Sequence, residues 1–207
     1  MAISSRNRST LIKQLTSWRL HIRYEDMTEA FPKRIRTERL LLRPYRWGDI
    51  DDLMNYAVDE EWSRYTRPPF PYTRENAREF LADRVALSRP DQKVWCLELN
   101  NQMIGDVGFA WHRQSLSAEI AYSLSSEFWN RGLMTEACNV AIDTVFNNDE
   151  TLNRIYAAID TRNVASIRVA EKLDMKQEGV LRQNRMQKGQ LVDDAWYAIL
   201  REEWVTK

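Results

Sequence analysis

The chain has 207 residues, of which 43% are hydrophobic, and its 30 basic side chains balance 30 acidic ones. This length fits one domain with a sizeable core, and the composition is typical of a soluble globular protein. No apolar run is long enough to cross a membrane, and the balanced charge gives no argument for nucleic acid or a membrane surface as a partner.

The cysteines and histidines point to a reduced protein without a metal site. Cys96 and Cys138 stand alone in periodic apolar surroundings, so we expect buried free thiols rather than a disulfide. His21 and His112 are the only histidines, and no spacing typical of zinc ligands is present. A cytoplasmic location fits this composition best.

Residues 1–35 are interpreted as a basic N-terminal extension, separate from a domain over residues 36–207. Its apolar residues recur on one helical face: Leu11, Leu15, Trp18 and Ile22. No continuous apolar stretch or cleavage site of a secretory signal follows. We expect a helix or arm that packs on the domain; a partner or homodimer contact, membrane-surface binding and organelle targeting are the alternatives.

The first half of the domain reads as a strand, two helices and a meander of strands. Residues 39–45 alternate as in a strand, and helical spacing follows at 47–62. Thr73 is a plausible N-cap for a second helix that ends before Pro90. Three strand patterns then follow, at residues 94–100, 102–112 and 117–125. The pair Asn100-Asn101 is a good hairpin turn, and the glycines of GDVG suggest a bulge.

The second half begins with a helix from Thr135, a strand at residues 154–160 and a helix at 163–173. Two strand-like runs, at 177–187 and 194–204, close the chain around a Lys188-Gly189 turn. A strand that leads through a helix into another strand forms a right-handed crossover with parallel strands. We therefore predict an α/β fold with a mixed, mostly antiparallel sheet and one parallel crossover.

Gly132 stands directly before the crossover helix in a chain that has only six glycines. A helix N-terminus binds anions through its free N–H groups, and a missing Cβ lets an anion approach the backbone. Arg131 adds a positive charge. The local residues support equally well a simple turn in which Gly132 bends the chain and Thr135 caps the helix.

Four stretches of the chain resemble the GNAT superfamily of N-acetyltransferases, most closely its branch of ribosomal-protein N-terminal acetyltransferases (RimJ/RimL-like). They are TERLLLRPYRWGDIDDL, IGDVGF, AEIAYSLSSEFWNRGLMTEA and NVASIRVAEKLDMKQEGVLRQ, within residues 36–205. The resemblance implies the GNAT fold, with helices on both faces of the sheet. It also implies an enzyme that moves an acetyl group from acetyl-CoA to a primary amine without a metal.

The resemblance further implies where coenzyme A binds. The family loop Q/R-x-x-G-x-G/A holds the pyrophosphate through backbone amides; this chain keeps the central glycine but has Trp129 and Met134 at the flanking positions. The family also uses an asparagine at the start of the next helix for the pantetheine arm. The implied contacts are Tyr122, Leu124, Arg131, Gly132, Leu133, Met134, Thr135 and Asn163.

Two catalytic residues follow from the resemblance. Ser166 matches the serine with which the ribosomal-protein branch protonates the departing thiolate, while Ala170 replaces the tyrosine that many relatives use. Arg185 stands where that branch carries a glutamate proposed as base. Glu119, in the AEI motif, is therefore our candidate base, and we expect three aromatic neighbours to desolvate it: Trp111, Tyr122 and Trp129. Splayed strands would leave a backbone N–H near Tyr122 to Leu124 for the oxyanion.

The acceptor is expected to be a protein N-terminus. A small amine, such as a polyamine, amino sugar or antibiotic, is one alternative, and a non-catalytic acyl-CoA-binding interaction module is another. The loop at residues 59–72 would border the acceptor site, where Asp59, Glu60 and Glu61 would attract a cation.

Overall fold

The computed structural model of the protein describes residues 31–86, 89 and 91–206. The helical face predicted around Leu11 and Trp18 lies outside these residues.

One sheet organises the described part of the chain. Its strands run in the order β1-β2-β3-β4-β5-β6-β8-β7. They are β1 (Ile35–Arg36), β2 (Leu41–Arg43), β3 (Gln92–Leu99), β4 (Gln102–His112), β5 (Ser117–Leu124), β6 (Arg154–Asp160), β7 (Lys176–Gln187) and β8 (Gln190–Leu200). The helices are α1 (Ile50–Ala57), α2 (Glu60–Ser63), α3 (Arg74–Ala86), α4 (Leu133–Asn148), α5 (Val164–Lys172) and α6 (Arg201–Val205).

The local turn signals act as the sequence predicts. Asn100 and Asn101 both have positive φ, 51° and 66°, as a two-residue hairpin of the tight mirror-image type requires. The register between β3 and β4 shifts beside Leu97, so Ile104 is the extra residue of a bulge next to Gly105. Thr73 accepts a hydrogen bond from the Asn76 N–H at 3.2 Å, and so it caps α3.

The predicted crossover is also confirmed. β5 and β6 are parallel, and the other paired strands of the sheet are antiparallel. The parallel pairing covers only the first three residues of each strand and ends at Glu119 and Tyr156. Beyond that pair β5 and β6 diverge, which opens a gap inside the sheet.

Helices cover both faces of the sheet, as the resemblance implies. α1, α2 and α3 bury their apolar residues on one face, around Tyr56, Leu81 and Met103. α4 packs on the other face, where Ile142 and Phe146 join the larger part of the core. The adjacent strand residues Trp95 and Cys96 are both fully buried because one points into each layer.

The folded unit includes residues before position 36. The Phe31 side chain is 3% exposed and packs against the Trp111 ring, with the ring centroids 5.3 Å apart. The Trp95 indole N–H donates to the Pro32 carbonyl at 3.0 Å. Residues 31–35 are therefore part of the packed domain at its first strand.

The end of the chain departs from the predicted strand pattern. The run at residues 194–204 is a strand only to Leu200, and its last residues form α6. The Leu200 N–H donates to the Glu203 carboxylate at 3.0 Å, a local side-chain cap that starts a helix instead of extending the sheet. The final hairpin also folds back, so that β8 rather than β7 pairs with β6.

Gly105 provides a test of the close packing of β4 on β5. A Cβ at this position would lie 2.2 Å from the Ser123 carbonyl oxygen, a backbone atom that cannot move away alone. We expect Gly105→Ala to lower the free energy of unfolding by about 2–3 kcal/mol in urea titrations. Gly179→Ala is the matched control, because no atom lies within 4 Å of its Cβ position. Equal stability of the two variants would contradict this account.

Candidate active site

A cavity of about 530 Å³ occupies the gap between β5 and β6. Its walls include residues from both faces of the sheet: Arg67, Glu119 and Trp196 on the side of α1–α3, and Tyr122, Asn163 and Ser166 on the side of α5. The cavity therefore passes through the sheet where the strand pairing stops, and it brings Glu119, Ser166 and Asn163 into one site.

The prediction that Trp111, Tyr122 and Trp129 surround Glu119 is wrong. Successive residues of a strand point to opposite faces, so residues 119 and 122 cannot share a face of β5. Trp111 and Tyr122 pack with the α4 layer of the core, and the Trp129 indole N–H donates to the Leu124 carbonyl at 2.7 Å, at the far end of β5. None of these contacts places an aromatic ring against Glu119.

Tyr156 and Trp196 are aromatic residues of the neighbouring strands β6 and β8 that line the cavity on the Glu119 side. Tyr156 is opposite Glu119 in the β5–β6 register. Its ring stacks on Trp196 with centroids 4.9 Å apart and planes at 5°. Burial and the nearby Glu119 carboxylate raise the pKa of the Tyr156 phenol. Glu119 thus lies beside a flat aromatic wall that the sequence did not single out.

The backbone of β5 offers N–H groups to the gap. The Ser125 N–H donates to the Ile104 carbonyl of β4 at 2.8 Å. Because N–H groups alternate in direction along an antiparallel strand, those of Tyr122 and Leu124 point away from β4 and toward the diverging β6. The ladder with β6 has already ended at Glu119, so these two groups face the cavity.

Ser166 and Asn163 lie at the start of α5. The Asn163 side chain accepts a hydrogen bond from the Ser166 N–H at 3.1 Å, which confirms it as the N-cap. The Ser166 hydroxyl donates to the Tyr122 hydroxyl at 2.9 Å, and Tyr122 in turn donates to the Ser166 carbonyl at 3.1 Å. Burial raises the pKa of Tyr122, so its hydroxyl keeps its proton at neutral pH.

The Tyr122 hydroxyl is a site group that the sequence analysis missed. The sequence predicted roles for the Tyr122 backbone and for its ring beside Glu119, but none for the hydroxyl. A phenol that reaches the first turn of a helix 44 residues later cannot be recognised from local spacing.

The loop before α4 has the backbone expected of an anion site. Gly132 is the N-cap of α4, with φ of 74°, a conformation that side chains with a Cβ rarely adopt. Leu133 and Met134 bury their side chains in the core, so they can offer only N–H groups. The N–H groups of the first turn, including that of Thr135, have no partner within the helix.

Arg131 and Arg39 place positive charge at this helix start. The Arg131 guanidinium donates to the Glu127 carbonyl at 2.8 Å and stacks on Phe128. The Arg39 guanidinium donates to the Arg131 carbonyl at 2.8 Å, and its Nη2 lies 3.6 Å from the Cβ position of Gly132. Arg39 comes from the loop between β1 and β2, far from Gly132 in the chain, so its position here could not be predicted from the sequence.

Glu136 holds Arg39 in position. It accepts from the Arg39 N–H at 2.9 Å and from Arg39 Nε at 2.6 Å, and the Thr37 hydroxyl also donates to it. Burial disfavours its ionised form, but these hydrogen bonds hold the pKa of Glu136 below its ordinary value. A second cavity of about 480 Å³ adjoins this point, with Gly132, Thr135 and Lys172 in its wall.

The loop at residues 59–72 covers the first cavity with a different charge from the one expected. Asp59 caps α2, where it accepts from the Glu61 N–H at 2.9 Å, and it also accepts from the Ser126 hydroxyl. Neither Asp59 nor Glu60 or Glu61 lines the cavity; Arg67, from the proline-rich part of the same loop, does. The expectation of an acidic acceptor entrance is therefore wrong.

Arg185 forms an ion pair with the buried Asp194 side chain. Its Nε lies 3.0 Å from the Asp194 carboxylate, which is fully buried, and its Nη1 donates to Gln187 at 2.6 Å. Gln187 donates to the Thr66 carbonyl at 2.7 Å. The residue that stands in place of the family's glutamate thus ties the β7–β8 hairpin to the loop that carries Arg67.

The two cysteines are free and buried, as expected. Burial raises the pKa of Cys96 to about 12, and it also raises that of Cys138. Within residues 31–86, 89 and 91–206, no helix has the length and apolar character needed to span a membrane. The same part of the chain has no group of three or more His, Cys, Asp or Glu side chains placed to hold a metal ion.

The mixed sheet with its parallel crossover, open between β5 and β6 and followed by a helix start at Gly132, is the architecture that the resemblance to the N-acetyltransferases implies. The acetyltransferase (GNAT) domain family matches residues 39–176. The chain belongs to this family and is an N-acetyltransferase, as the sequence indicated.

Relatives and solved structures agree with this assignment. The chain is 32% identical over 173 residues to the uncharacterized N-acetyltransferase p20 of Bacillus licheniformis, covering 81% of this chain and 96% of that protein. The GNAT acetyltransferase of Bacillus anthracis has 27% identity and a TM-score of 0.72, covering 82% and 99% of the two chains. RimL, a ribosomal alpha-N-protein acetyltransferase solved with coenzyme A, has the same fold at 22% identity and a TM-score of 0.71, covering 81% and 97%.

The Glu136 contacts make stability depend on pH. Because folding lowers the pKa of Glu136, its contribution is present above the unfolded value of about 4.5 and is lost as pH falls through the folded value. Glu136→Gln should cost about 1 kcal/mol at pH 7, since Arg39 is partly exposed and screened. The difference from wild type, followed by chemical denaturation, should shrink as pH falls below the ordinary value and through the folded pKa. The exposed Glu150→Gln variant, the control, should show no such trend.

Proposed function

We propose that this protein transfers the acetyl group of acetyl-CoA directly to a primary amine. The observation that carries the proposal is the cavity through the sheet, with Glu119 on one side and the hydrogen-bonded Tyr122–Ser166 pair on the other. A thioester held in the gap would have a proton acceptor toward the amine and a proton donor toward its sulfur.

The helix start at Gly132 supports binding of the coenzyme A pyrophosphate. The direction in which a Cβ would point is open except for Arg39 at 3.6 Å, so an anion can approach the amides and meet a guanidinium. Arg131, Leu133, Met134 and Thr135 would contribute through charge or backbone N–H. Asn163 and the N–H groups of Tyr122 and Leu124 would hold the pantetheine arm. RimL, which has the same fold, is described in complex with coenzyme A.

In the proposed direct transfer, each proton that moves has a donor and an acceptor. Glu119, alone or through a water, takes a proton from the acceptor ammonium, and the neutral nitrogen attacks the thioester carbon. The oxyanion of the tetrahedral intermediate accepts hydrogen bonds from backbone N–H groups of β5. When the C–S bond breaks, the thiolate takes a proton through Ser166 and Tyr122, and the amide nitrogen loses its second proton to solvent.

A covalent acetyl-cysteine is not part of the proposal. Cys138 is fully buried inside α4 and its raised pKa leaves it as a thiol, which is a poor nucleophile. Holding the thioester beside the amine supplies much of the rate by proximity alone.

The acceptor is either a protein N-terminus or a small amine. The relation to RimL favours the former. The loop at residues 59–72 favours a small molecule or the first residue of a chain, because Gln187 ties it down across the cavity. Thiol release from acetyl-CoA over amines and N-terminal peptides tests the function. Binding of acetyl-CoA with no thiol release from any amine would instead favour a non-catalytic module.

Gly132→Ala tests the pyrophosphate site. A methyl group at this position would stand where the phosphates approach, so we expect acetyl-CoA to bind roughly tenfold more weakly, about 1.4 kcal/mol, in calorimetric titrations. Gly189→Ala is the matched control: its φ is also positive, 80°, but it lies in the β7–β8 turn. Both variants should lose stability from backbone strain, and only the first should lose affinity. Unchanged affinity in Gly132→Ala would remove the pyrophosphate assignment.

Glu119→Gln tests the base. General bases contribute about 10²–10⁴-fold, so kcat should fall by at least tenfold, and the acidic limb of the pH–rate profile should move. Acetyl-CoA affinity should be preserved, because Glu119 lies on the acceptor side. Ser166→Ala should cost less, since water can protonate a good leaving group. Glu150→Gln is the control, because it removes an exposed acid outside the cavity. Full activity of Glu119→Gln at every pH would contradict the assignment of Glu119 as the base.

A further inference from the structure

Arg67, Arg84 and Glu119 line the cavity without an ion pair closer than 3.8 Å among the described residues, whereas the acids around them are paired. Three acids have partners at hydrogen-bond distance: Asp106 with Tyr45 and Ser123, Asp160 with Arg162, and Asp194 with Arg185. Arg84 packs over the Phe80 ring at 5.2 Å with its Nε buried and without a hydrogen-bond partner, so it is a second, less accessible guanidinium of the wall. Arg67 and Glu119 approach each other only to 3.8 Å.

The Arg67–Glu119 pair is weak and easily separated. The Arg67 side chain is 85% exposed and that of Glu119 is 26% exposed. Exposed ion pairs contribute little because water solvates both charges and the long side chain loses conformational entropy. A ligand that carries both charges can therefore take the place of this contact at small cost.

The backbone at Arg67 is held, although its side chain is free. The Thr66 carbonyl accepts from Gln187, and the Thr66 N–H donates to the Ser63 carbonyl at 3.2 Å. Gln187 is itself only 6% exposed and is fixed by Arg185. The loop thus presents an exposed guanidinium from a fixed backbone position next to Glu119.

We propose that the acceptor is a primary amine that carries a carboxylate close to its nitrogen, and that Arg67 binds this carboxylate. The proposal rests on the proposed function and names the acceptor of the same site. The acceptor's ammonium would lie on Glu119 and its carboxylate on Arg67, where the planar guanidinium can make two parallel hydrogen bonds. The Tyr156–Trp196 wall would pack the rest of the acceptor.

Substrate binding then prepares the base. As the carboxylate draws Arg67 away, Glu119 exchanges its contact with a guanidinium for one with the ammonium whose proton it must accept. No further co-reactant is needed, because the carboxylate is bound and released unchanged. Arg67 therefore acts as the residue that selects and orients the acceptor.

Matched pairs of acceptors test the proposal. L-phenylalanine and L-alanine are compared with their amides, and the peptide Asp-Ala-Ala with Asn-Ala-Ala, both amidated at the C-terminus. We expect the carboxylate member to have kcat/KM roughly tenfold higher or more, the effect of one charge-assisted contact. Amide formation makes the amine less basic and leaves more of it neutral, so this preference cannot arise from amine basicity. A carboxylate preference among the amino acids would identify the acceptor as a free amino acid. A carboxylate preference among the peptides would identify it as an acidic N-terminus.

Variants identify Arg67 as the origin of the preference. Arg67→Gln should raise KM for the carboxylate acceptor by roughly tenfold while changing KM for the amide less than about twofold. Arg64→Gln is the matched control, since Arg64 is exposed on the same loop but does not line the cavity. No preference in wild type, or an equal loss for both acceptors in Arg67→Gln, would overturn the proposal.

A binding experiment distinguishes the proposed Arg67 site from the proposed acetyl transfer. The same acceptors are titrated into the protein with coenzyme A bound. Tighter binding of the carboxylate member without thiol release would reject the proposed function and keep the Arg67 site. Thiol release without any carboxylate preference would reject the Arg67 site and keep the proposed acetyl transfer.

Discussion

The site depends on one missing set of hydrogen bonds, those between β5 and β6 beyond Glu119 and Tyr156. Two strands can diverge in the middle of a sheet only if each is held from its other side. β4 pairs with β5 along its whole length, and β8 does the same for β6. The outer ladders thus fix both edges of the gap, and the freed N–H groups of β5 become available to a substrate instead of a strand.

The gap also places the proposed acid and the proposed base on opposite sides of the sheet. Because strand residues alternate between faces, Glu119 and Tyr122, three positions apart on β5, open to opposite sides of the sheet. Ser166 reaches the Tyr122 side from α5, and Arg67 reaches the Glu119 side from the loop over α1–α3. A thioester in the plane of the sheet would separate the two proton paths, so the groups cannot neutralise each other.

The sequence was sufficient for most of the elements and for the parallel crossover, because turns, caps and periodicity act within a few residues; the helix after Leu200 was missed. It could not place contacts between distant segments, such as Arg39 with Glu136 or Gln187 with Thr66, 97 and 121 residues apart. The expected desolvation of Glu119 by Tyr122 failed for another reason: the strand period already excluded it. Asp59 was expected to attract a cation at the acceptor site, but its carboxylate caps α2 and does not line the cavity.

Arg185 illustrates how a catalytic position can become structural. Its partner Asp194 is fully buried, so removing the guanidinium alone would leave an uncompensated charge, which is far more costly than losing a surface pair. A glutamate at this position would also face Asp194 as a like charge. The position and its partner can therefore change only together, and the same pair anchors Gln187 and the loop that carries Arg67. The Arg185 guanidinium cannot serve as a base, and in the proposed function that role falls to Glu119 on the other wall of the cavity.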